Sequence, residues 1–283
     1  MKIKDLRTHF KNALSKAYDA EEVMSFFYLL TEKRLGLRRV DIALQLEREL
    51  SEDALAFFKE AEIRLLDFEP VQYIIGDTEF FGLSFLVNEN VLIPRPETEE
   101  LVDWILKDHL GVAYELKILD IGTGSGCIAI TLAKNLPNAK VYAIDVSEKA
   151  LALAKQNADK NQVKIEFIQL DVLKEEIDEA NFDIVVSNPP YVRELEKTEM
   201  KTNVLENEPA LALFVSNDDP LIFYRRISVL SKQLLTEHGR LYFEINQYLG
   251  AETKELIDKL QFNTVTLRKD IYQNDRMIRA DLN

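Results

Sequence analysis

The apolar positions of the first 70 residues recur at helical steps. Ile3, Leu6, Phe10, Leu14 and Ala17 lie three or four residues apart, and Val23, Phe26, Phe27 and Leu30 continue the spacing. A third run follows Ser51, a residue suited to cap it, with Leu55, Phe58, Ile63 and Leu66. These runs predict a small helical bundle over residues 1–70. Over 71–96 the pattern breaks. Pro70, Gly76, Gly82, Pro94 and Pro96 bracket two short β-like runs, 79–81 and 84–87, with Asn88 to Asn90 as a turn. A hairpin linking two domains is expected there. Pro96 suits the first position of a helix, with Glu97, Glu99 and Glu100 at its positive end. Leu101, Val102, Trp104, Ile105 and Leu106 supply the buried side of that helix.

From about residue 116 the periodicity alternates between two and 3.6. Strands are expected at 117–121, 140–144, 164–170 and 182–187, with helices at 129–135 and 148–159 between the earlier pairs. A helix at 221–235, a strand at 240–245, a helix at 251–260 and a final strand pair at 265–268 and 277–280 complete the count. This rhythm implies an α/β domain over 97–283, with a mostly parallel seven-stranded sheet and helices on both faces.

Composition narrows the class. Of 283 residues, 47% are hydrophobic and 30% charged, which is globular composition. The net charge of −14 repels phosphate backbones, whereas a general nucleic-acid binder is usually basic. The single cysteine, Cys127, excludes an internal disulfide framework, and His9, His109 and His238 are too scattered to suggest a metal cluster. The first residues carry no apolar leader, and no apolar stretch approaches membrane-spanning length. A soluble cytoplasmic monomer, without metal, membrane or nucleic-acid partner, is the expectation.

In open α/β sheets, ligands bind at the carboxyl ends of the strands near the point where strand order reverses. The residues expected at the first four strand ends are Asp120, Asp145, Asp171 and Asn188. After Asp120 the chain runs Ile121, Gly122, Thr123, Gly124, Ser125, Gly126, Cys127, spending three of nine glycines within five positions. Such a loop lets backbone approach a ligand, and the following helix offers free N–H groups. The dinucleotide fingerprint G-x-G-x-x-G fails, because its third glycine would fall on Cys127. The G-x-G-x-G spacing resembles the S-adenosylmethionine (AdoMet) loop of class I methyltransferases. Asp145 can accept both hydroxyls of a ribose, or it can cap the helix that starts near Ser147. Asp171 can accept from an adenine amino group with Val172 against the ring, or serve as a solvated turn residue.

The most distinctive element is Asn188-Pro189-Pro190-Tyr191. Consecutive prolines end a ladder and hold the backbone stiff and extended, so the tetrapeptide should project as a ledge at the ligand rim. The Asn188 side-chain oxygen and the Pro189 carbonyl form a pair of acceptors that can hold both hydrogens of a planar NH₂. Tyr191 offers an aromatic surface to a flat conjugated group. A nitrogen held this way aims its lone pair at a sulfonium methyl, so positioning and electrostatics supply the catalysis, with no strong base required.

With both motifs in hand, the chain resembles the HemK/PrmC family of protein-(glutamine-N5) methyltransferases over nearly its whole length. Further residues carry the likeness: Gln72-Tyr73-Ile74-Ile75-Gly76, Phe80-Phe81-Gly82, Leu92-Ile93-Pro94-Arg95-Pro96-Glu97-Thr98-Glu99, Asn207-Glu208-Pro209-Ala210-Leu211, and Asp270 with Asn274-Asp275-Arg276. The resemblance implies a class I (Rossmann-like) methyltransferase domain, a β-hairpin linker over 71–96 and a helical substrate-docking domain. It implies AdoMet contacts from Asp120, Gly122, Thr123, Gly124, Ser125, Gly126, Asp145, Asp171, Val172 and Asn188. It implies that Asn188, Pro189, Pro190 and Tyr191 grip the glutamine amide in the Gly-Gly-Gln loop of peptide chain release factors, with consequences for translation termination. The principal rival is an amino-methyltransferase acting on nucleic acid at adenine N6 or guanine N2, since that chemistry uses the same kind of tetrapeptide. The −14 charge and the lack of a basic block weigh against it. A non-catalytic AdoMet-binding module would have no use for the ledge.

Overall fold

Three of the apolar stripes close on one another. In the computed structural model, which describes residues 1–112, 114–200 and 202–283, two units form: Met1–Asp77 with 202–207, and Thr78–Met200 with Glu208–Asn283. The first unit holds α1 (Ile3–Leu14), α2 (Ala20–Leu35), α3 (Arg39–Leu44), α4 (Glu52–Leu66) and α5 (Val71–Ile75). At its centre the rings of Phe10, Phe27 and Phe58 meet with centroids 6.0–6.1 Å apart. Asp19 accepts from the Glu21 and Glu22 N–H groups to start α2, and Ser51 accepts from Ala54 N–H to start α4. The stripe on α4 differs from expectation: Ala54, Phe58, Ala61 and Leu65 are buried, while Ile63 is 60% and Leu66 44% exposed. Steps of four, three and four keep one helical face together, whereas Ile63 lies more than a third of a turn from Phe58.

The second unit continues with β1 (Asp77–Phe80), β2 (Leu83–Leu86), α6 (Pro96–Asp108), β3 (Lys117–Ile121), α7 (Cys127–Asn135), β4 (Lys140–Asp145), α8 (Glu148–Asn161), β5 (Glu166–Gln169) and β6 (Phe182–Ser187). Then come β7 (Val192–Arg193), a 3₁₀ turn Glu194–Glu199, α9 (Thr202–Asn207), α10 (Ala210–Leu213) and β8 (Phe214–Val215). The chain ends with α11 (Ile222–Leu234), β9 (Leu235–Glu244), α12 (Gly250–Lys259), β10 (Thr264–Lys269) and β11 (Asp275–Asp281). Two members cross the unit boundary: Asp77 of β1 and the whole of α9 belong to the first unit. There, Asn207 Nδ2 donates to the Phe68 carbonyl at 3.0 Å.

Segment 71–96, expected as a linker, divides. Its α5 packs in the bundle, and its hairpin turns on Phe81 and Gly82, both at positive φ (51° and 72°), as a two-residue turn of this hand requires. Phe81 is therefore a turn residue, not part of a strand. Asn157 on α8 anchors β2: its Oδ1 accepts from Leu86 N–H at 2.6 Å, and its Nδ2 donates to the Leu86 carbonyl at 3.0 Å and the Ser125 carbonyl at 2.9 Å. One buried amide thus ties hairpin and glycine loop to the same helix.

The main sheet runs β10-β11-β9-β6-β3-β4-β5. β11 alone runs against the rest, antiparallel to both β10 and β9, while β9, β6, β3, β4 and β5 pair in parallel. Chain order reverses between the adjacent strands β3 and β6, whose ends align at Ile121 and Ser187. The Ser187 hydroxyl fastens this point by donating to the Ile121 carbonyl at 2.6 Å. No helix among the described residues is long and apolar enough to cross a membrane.

Candidate active site

Where β3 ends, the Gly122 and Thr123 N–H groups both donate to the Ile144 carbonyl, at 2.8 and 3.0 Å, and swing the chain out of the sheet. Gly122, Gly124 and Gly126 sit at φ of 76°, 54° and 82°, a region that only glycine enters without strain. A side chain at Gly122 or Gly124 would meet nothing within 4 Å, so this backbone borders open space. That space is a cavity of about 400 Å³ at the carboxyl ends of the strands, lined by Gly122, Thr123, Gly124 and Ser125. Gly126 is different: a Cβ there would lie 2.9 Å from Ile130 Cδ1 and 3.2 Å from Ala154 Cβ. It lets α7 pack close to α8 and does not line the cavity.

The strand-end acids separate into distinct roles. Asp145 lines the cavity and accepts from Gly124 N–H through Oδ2 and from Ser147 N–H through Oδ1, both at 2.9 Å. Burial pushes its carboxyl above the usual range, against these backbone hydrogen bonds. The cap of α8 is Ser147, so Asp145 is free of that duty and instead braces the loop at the cavity wall. Asp171 also lines the cavity, next to Val172. Its Oδ1 accepts from Leu173 N–H at 3.0 Å and its Oδ2 pairs with Lys174 at 2.8 Å, which holds its carboxyl low.

Asp120 does not stand at the rim. It is the penultimate residue of β3, fully buried, and absent from the cavity wall. Its Oδ2 accepts from Thr123 Oγ1 at 2.7 Å and from Ala129 N–H at 3.3 Å, and its Oδ1 has no partner among the described residues. It fastens the loop from beneath. Burial pushes its carboxyl up to about 7 from the usual 3.8. Between those values the folded chain holds a proton that the unfolded chain has lost, so stability falls as the pH rises through that window. Asp120→Asn is neutral throughout, and its stability relative to the parent is expected to rise by about 2–3 kcal/mol from pH 5 to pH 8. Urea unfolding at both pH values measures this, and an equal difference at the two would contradict it.

The ledge leaves β6 as expected. Asn188, Pro189 and Pro190 line the same cavity as the glycine loop. Asn188 Nδ2 donates to Thr98 Oγ1 at 3.3 Å, and among the described residues nothing donates to Asn188 Oδ1 or to the Pro189 carbonyl. Tyr191 departs from expectation. It is not part of the cavity wall; its ring packs on the sheet core, and its hydroxyl donates to Glu244 Oε1 at 3.0 Å. Burial and that carboxylate push the phenol well up. It anchors the ledge from behind, because a tyrosine with an inward acceptor buries its ring.

Sequence reasoning gave no role to three residues here, two of which, Thr98 and Glu208, lie in the motifs that carry the family likeness. Glu208, 5% exposed, accepts from Ile93 N–H at 3.2 Å and pairs with Arg95 Nη2 at 2.5 Å, joining two motifs that are far apart in the chain. Thr98, in the first turn of α6, and Glu244, the last residue of β9, form the support behind Asn188. The strand-end rule, carried on to β9, points to Glu244.

The cavity fits AdoMet. Ile128, Ala150, Leu170, Val172 and Ile227 give it apolar walls suited to a base. The Asp145 carboxylate suits a ribose diol, and a volume of about 400 Å³ is ordinary for a small-molecule site. A sheet with one reversed strand, a G-x-G-x-G turn at its switch point and an acid ending the next strand define a class I AdoMet-dependent methyltransferase. The fold agrees with solved structures: a methyltransferase from Pyrococcus furiosus (TM-score 0.52, 18% identity, 82% of this chain and all of that one) and the catalytic domain of hMettl16 solved with a MAT2A 3′UTR hairpin (TM-score 0.56, 18% identity, 82% and 83%).

Family models for the PrmC N-terminal domain and the methyltransferase small domain match residues 5–76 and 103–213. A release factor glutamine methyltransferase of Flavobacterium psychrophilum is 56% identical over 99% of both chains, and that of Bacteroides thetaiotaomicron 46% identical over 98% of this chain and 99% of its own. The chain belongs to the release factor glutamine methyltransferase family, HemK/PrmC.

Proposed function

We infer that this protein transfers a methyl group from AdoMet to the N5 side-chain nitrogen of the glutamine in the Gly-Gly-Gln motif of peptide chain release factors, leaving S-adenosylhomocysteine. The observation that carries this is the placement of Asn188 and Pro189 in the wall of the glycine-loop cavity with their oxygens unengaged. Bound AdoMet supplies an electrophilic methyl carbon on a sulfonium. A primary amide nitrogen is a poor nucleophile, because its lone pair is delocalised into the carbonyl. Asn188 Oδ1 and the Pro189 carbonyl accept its two hydrogens and turn the remaining lone pair toward the cavity. As the N–C bond forms and the C–S bond breaks, the same two acceptors stabilise the positive charge growing on nitrogen. The strongly acidic N-protonated amide then gives its proton to solvent water, and the neutral methylamide remains.

The helical unit serves as the docking domain, and the protein works as a cytoplasmic monomer on a protein substrate rather than on nucleic acid. The net charge of −14 supports that choice. Incubation with labelled AdoMet and unmodified release factor, its glutamine-to-alanine variant, or RNA and DNA tests the reading. Mass mapping should place one methyl on the Gly-Gly-Gln glutamine and none on the control; label on nucleic acid instead would overturn it.

A further inference from the structure

The ledge can work only if the Asn188 amide presents its oxygen, not its nitrogen, to the substrate. The two ends of a primary amide have nearly the same shape, so packing alone does not choose between them. The choice is made by a hydrogen-bond chain that ends on a buried carboxylate. Asn188 Nδ2 donates to Thr98 Oγ1 at 3.3 Å, Thr98 Oγ1 donates to Glu244 Oε2 at 2.6 Å, and Tyr191 Oη donates to Glu244 Oε1 at 3.0 Å. Glu244 is 1% and Thr98 2% exposed. Sheet register places Glu244 one residue beyond Phe243, which pairs with Ser187, so it lies level with the start of the ledge.

A threonine hydroxyl has a single proton. An ionised carboxylate can only accept, so it draws that proton toward itself and leaves Thr98 with lone pairs facing Asn188. Those lone pairs take a donor, which is Nδ2, and Oδ1 is thereby turned to the cavity. Burial and the nearby charge of Glu97 raise the Glu244 carboxyl above its usual range, while the Thr98 and Tyr191 hydroxyl donors and the positive charge of Arg276 on β11 pull it back toward the ionised form. Burying a charge is costly unless it is compensated this way.

We propose that Glu244 is a positioning residue for methyl transfer: through Thr98 it fixes the polarity of the Asn188 amide, and through Tyr191 it holds the far end of the ledge. This rests on the functional reading above. Glutamine in place of Glu244 has the same shape but can offer an NH₂ to Thr98. The threonine hydroxyl then donates to Asn188 Oδ1, the chain reverses, and the Asn188 NH₂ meets the substrate NH₂, donor against donor.

The test uses the full chain, with release factor as methyl acceptor, and compares Glu244→Gln, Thr98→Val and Thr98→Ser with the parent. Glu244→Gln and Thr98→Val should each lower kcat by about 10–100-fold, the scale seen when a partner that orients an active group is lost. AdoMet affinity by titration calorimetry should stay within about twofold, and Thr98→Ser, which restores the hydroxyl, should recover most of the rate. The double variant Thr98→Val/Glu244→Gln should be no slower than the slower single variant, since both break one chain. If Glu244→Gln does not fold, the valine and serine pair at Thr98 decides. An active parent with Glu244→Gln and Thr98→Val within about threefold of it would overturn the inference alone, as would a loss of rate matched by an equal loss of AdoMet affinity. A parent that leaves the glutamine unmodified would overturn the functional reading and this inference with it.

Discussion

Asn188→Ala is expected to lower kcat for glutamine methylation by about 10²–10³-fold, the effect of removing one preorganised partner of a developing charge. AdoMet affinity should fall only modestly. The asymmetry follows from geometry. The alanine variant keeps the glycine loop, the Asp145 brace and the apolar cavity wall, all of which belong to β3, β4 and neighbouring elements. It loses one of the two acceptors for the amide hydrogens. The substrate nitrogen can then rotate about its remaining hydrogen bond, and its lone pair no longer points along the line of transfer. Titration calorimetry beside a single-turnover methylation assay separates the two effects. Near-normal turnover would show that the oxygen of Asn188 does not hold the reacting group.

Asp145→Ala should do the opposite, weakening AdoMet binding by about 1.5–3 kcal/mol while affecting the bound-state rate less. Two contributions act together. The carboxylate is available to a ribose diol, and it also pins Gly124 N–H and Ser147 N–H at 2.9 Å. Without it the loop keeps its two bonds to the Ile144 carbonyl but loses the one at Gly124, and that part must be ordered again on binding. Asp145→Asn divides these contributions, since one oxygen remains to accept from one of the two backbone groups; its affinity should fall between parent and alanine. An unchanged dissociation constant for Asp145→Ala would overturn both contributions.

Much of this site could be read before folding because its residues are close in sequence and obey local rules. The G-x-G-x-G turn, the acid ending β4 and the two prolines after β6 each declare a backbone conformation through residue type alone. Asp120 was misplaced by one strand position, and alternation turned it into the sheet where the loop needed a fastening. Tyr191 was read as an aromatic surface for the substrate because nothing local announces its inward acceptor. Glu244 lies 53 residues from Tyr191 and 146 from Thr98, and no spacing rule joins them. On α4, alanines carry half of the buried face, so the larger Ile63 and Leu66 drew the apolar stripe to the wrong side. Residues 192–215 gave no periodic signal, although Asn207 to Leu211 carried part of the family likeness. Their strands are two residues long and their helices four and six, too short for any period to repeat.

The short helix α9 has a practical bearing on dissecting this molecule. It is encoded between β7 and β8, yet it completes the bundle made by the first 77 residues. A clone beginning at Thr78 would carry α9 without the unit it packs with, and a clone ending at Asp77 would lack that helix. Cutting the gene once cannot yield two whole pieces. Fragment studies would require excising 201–207 from one half and grafting it onto the other.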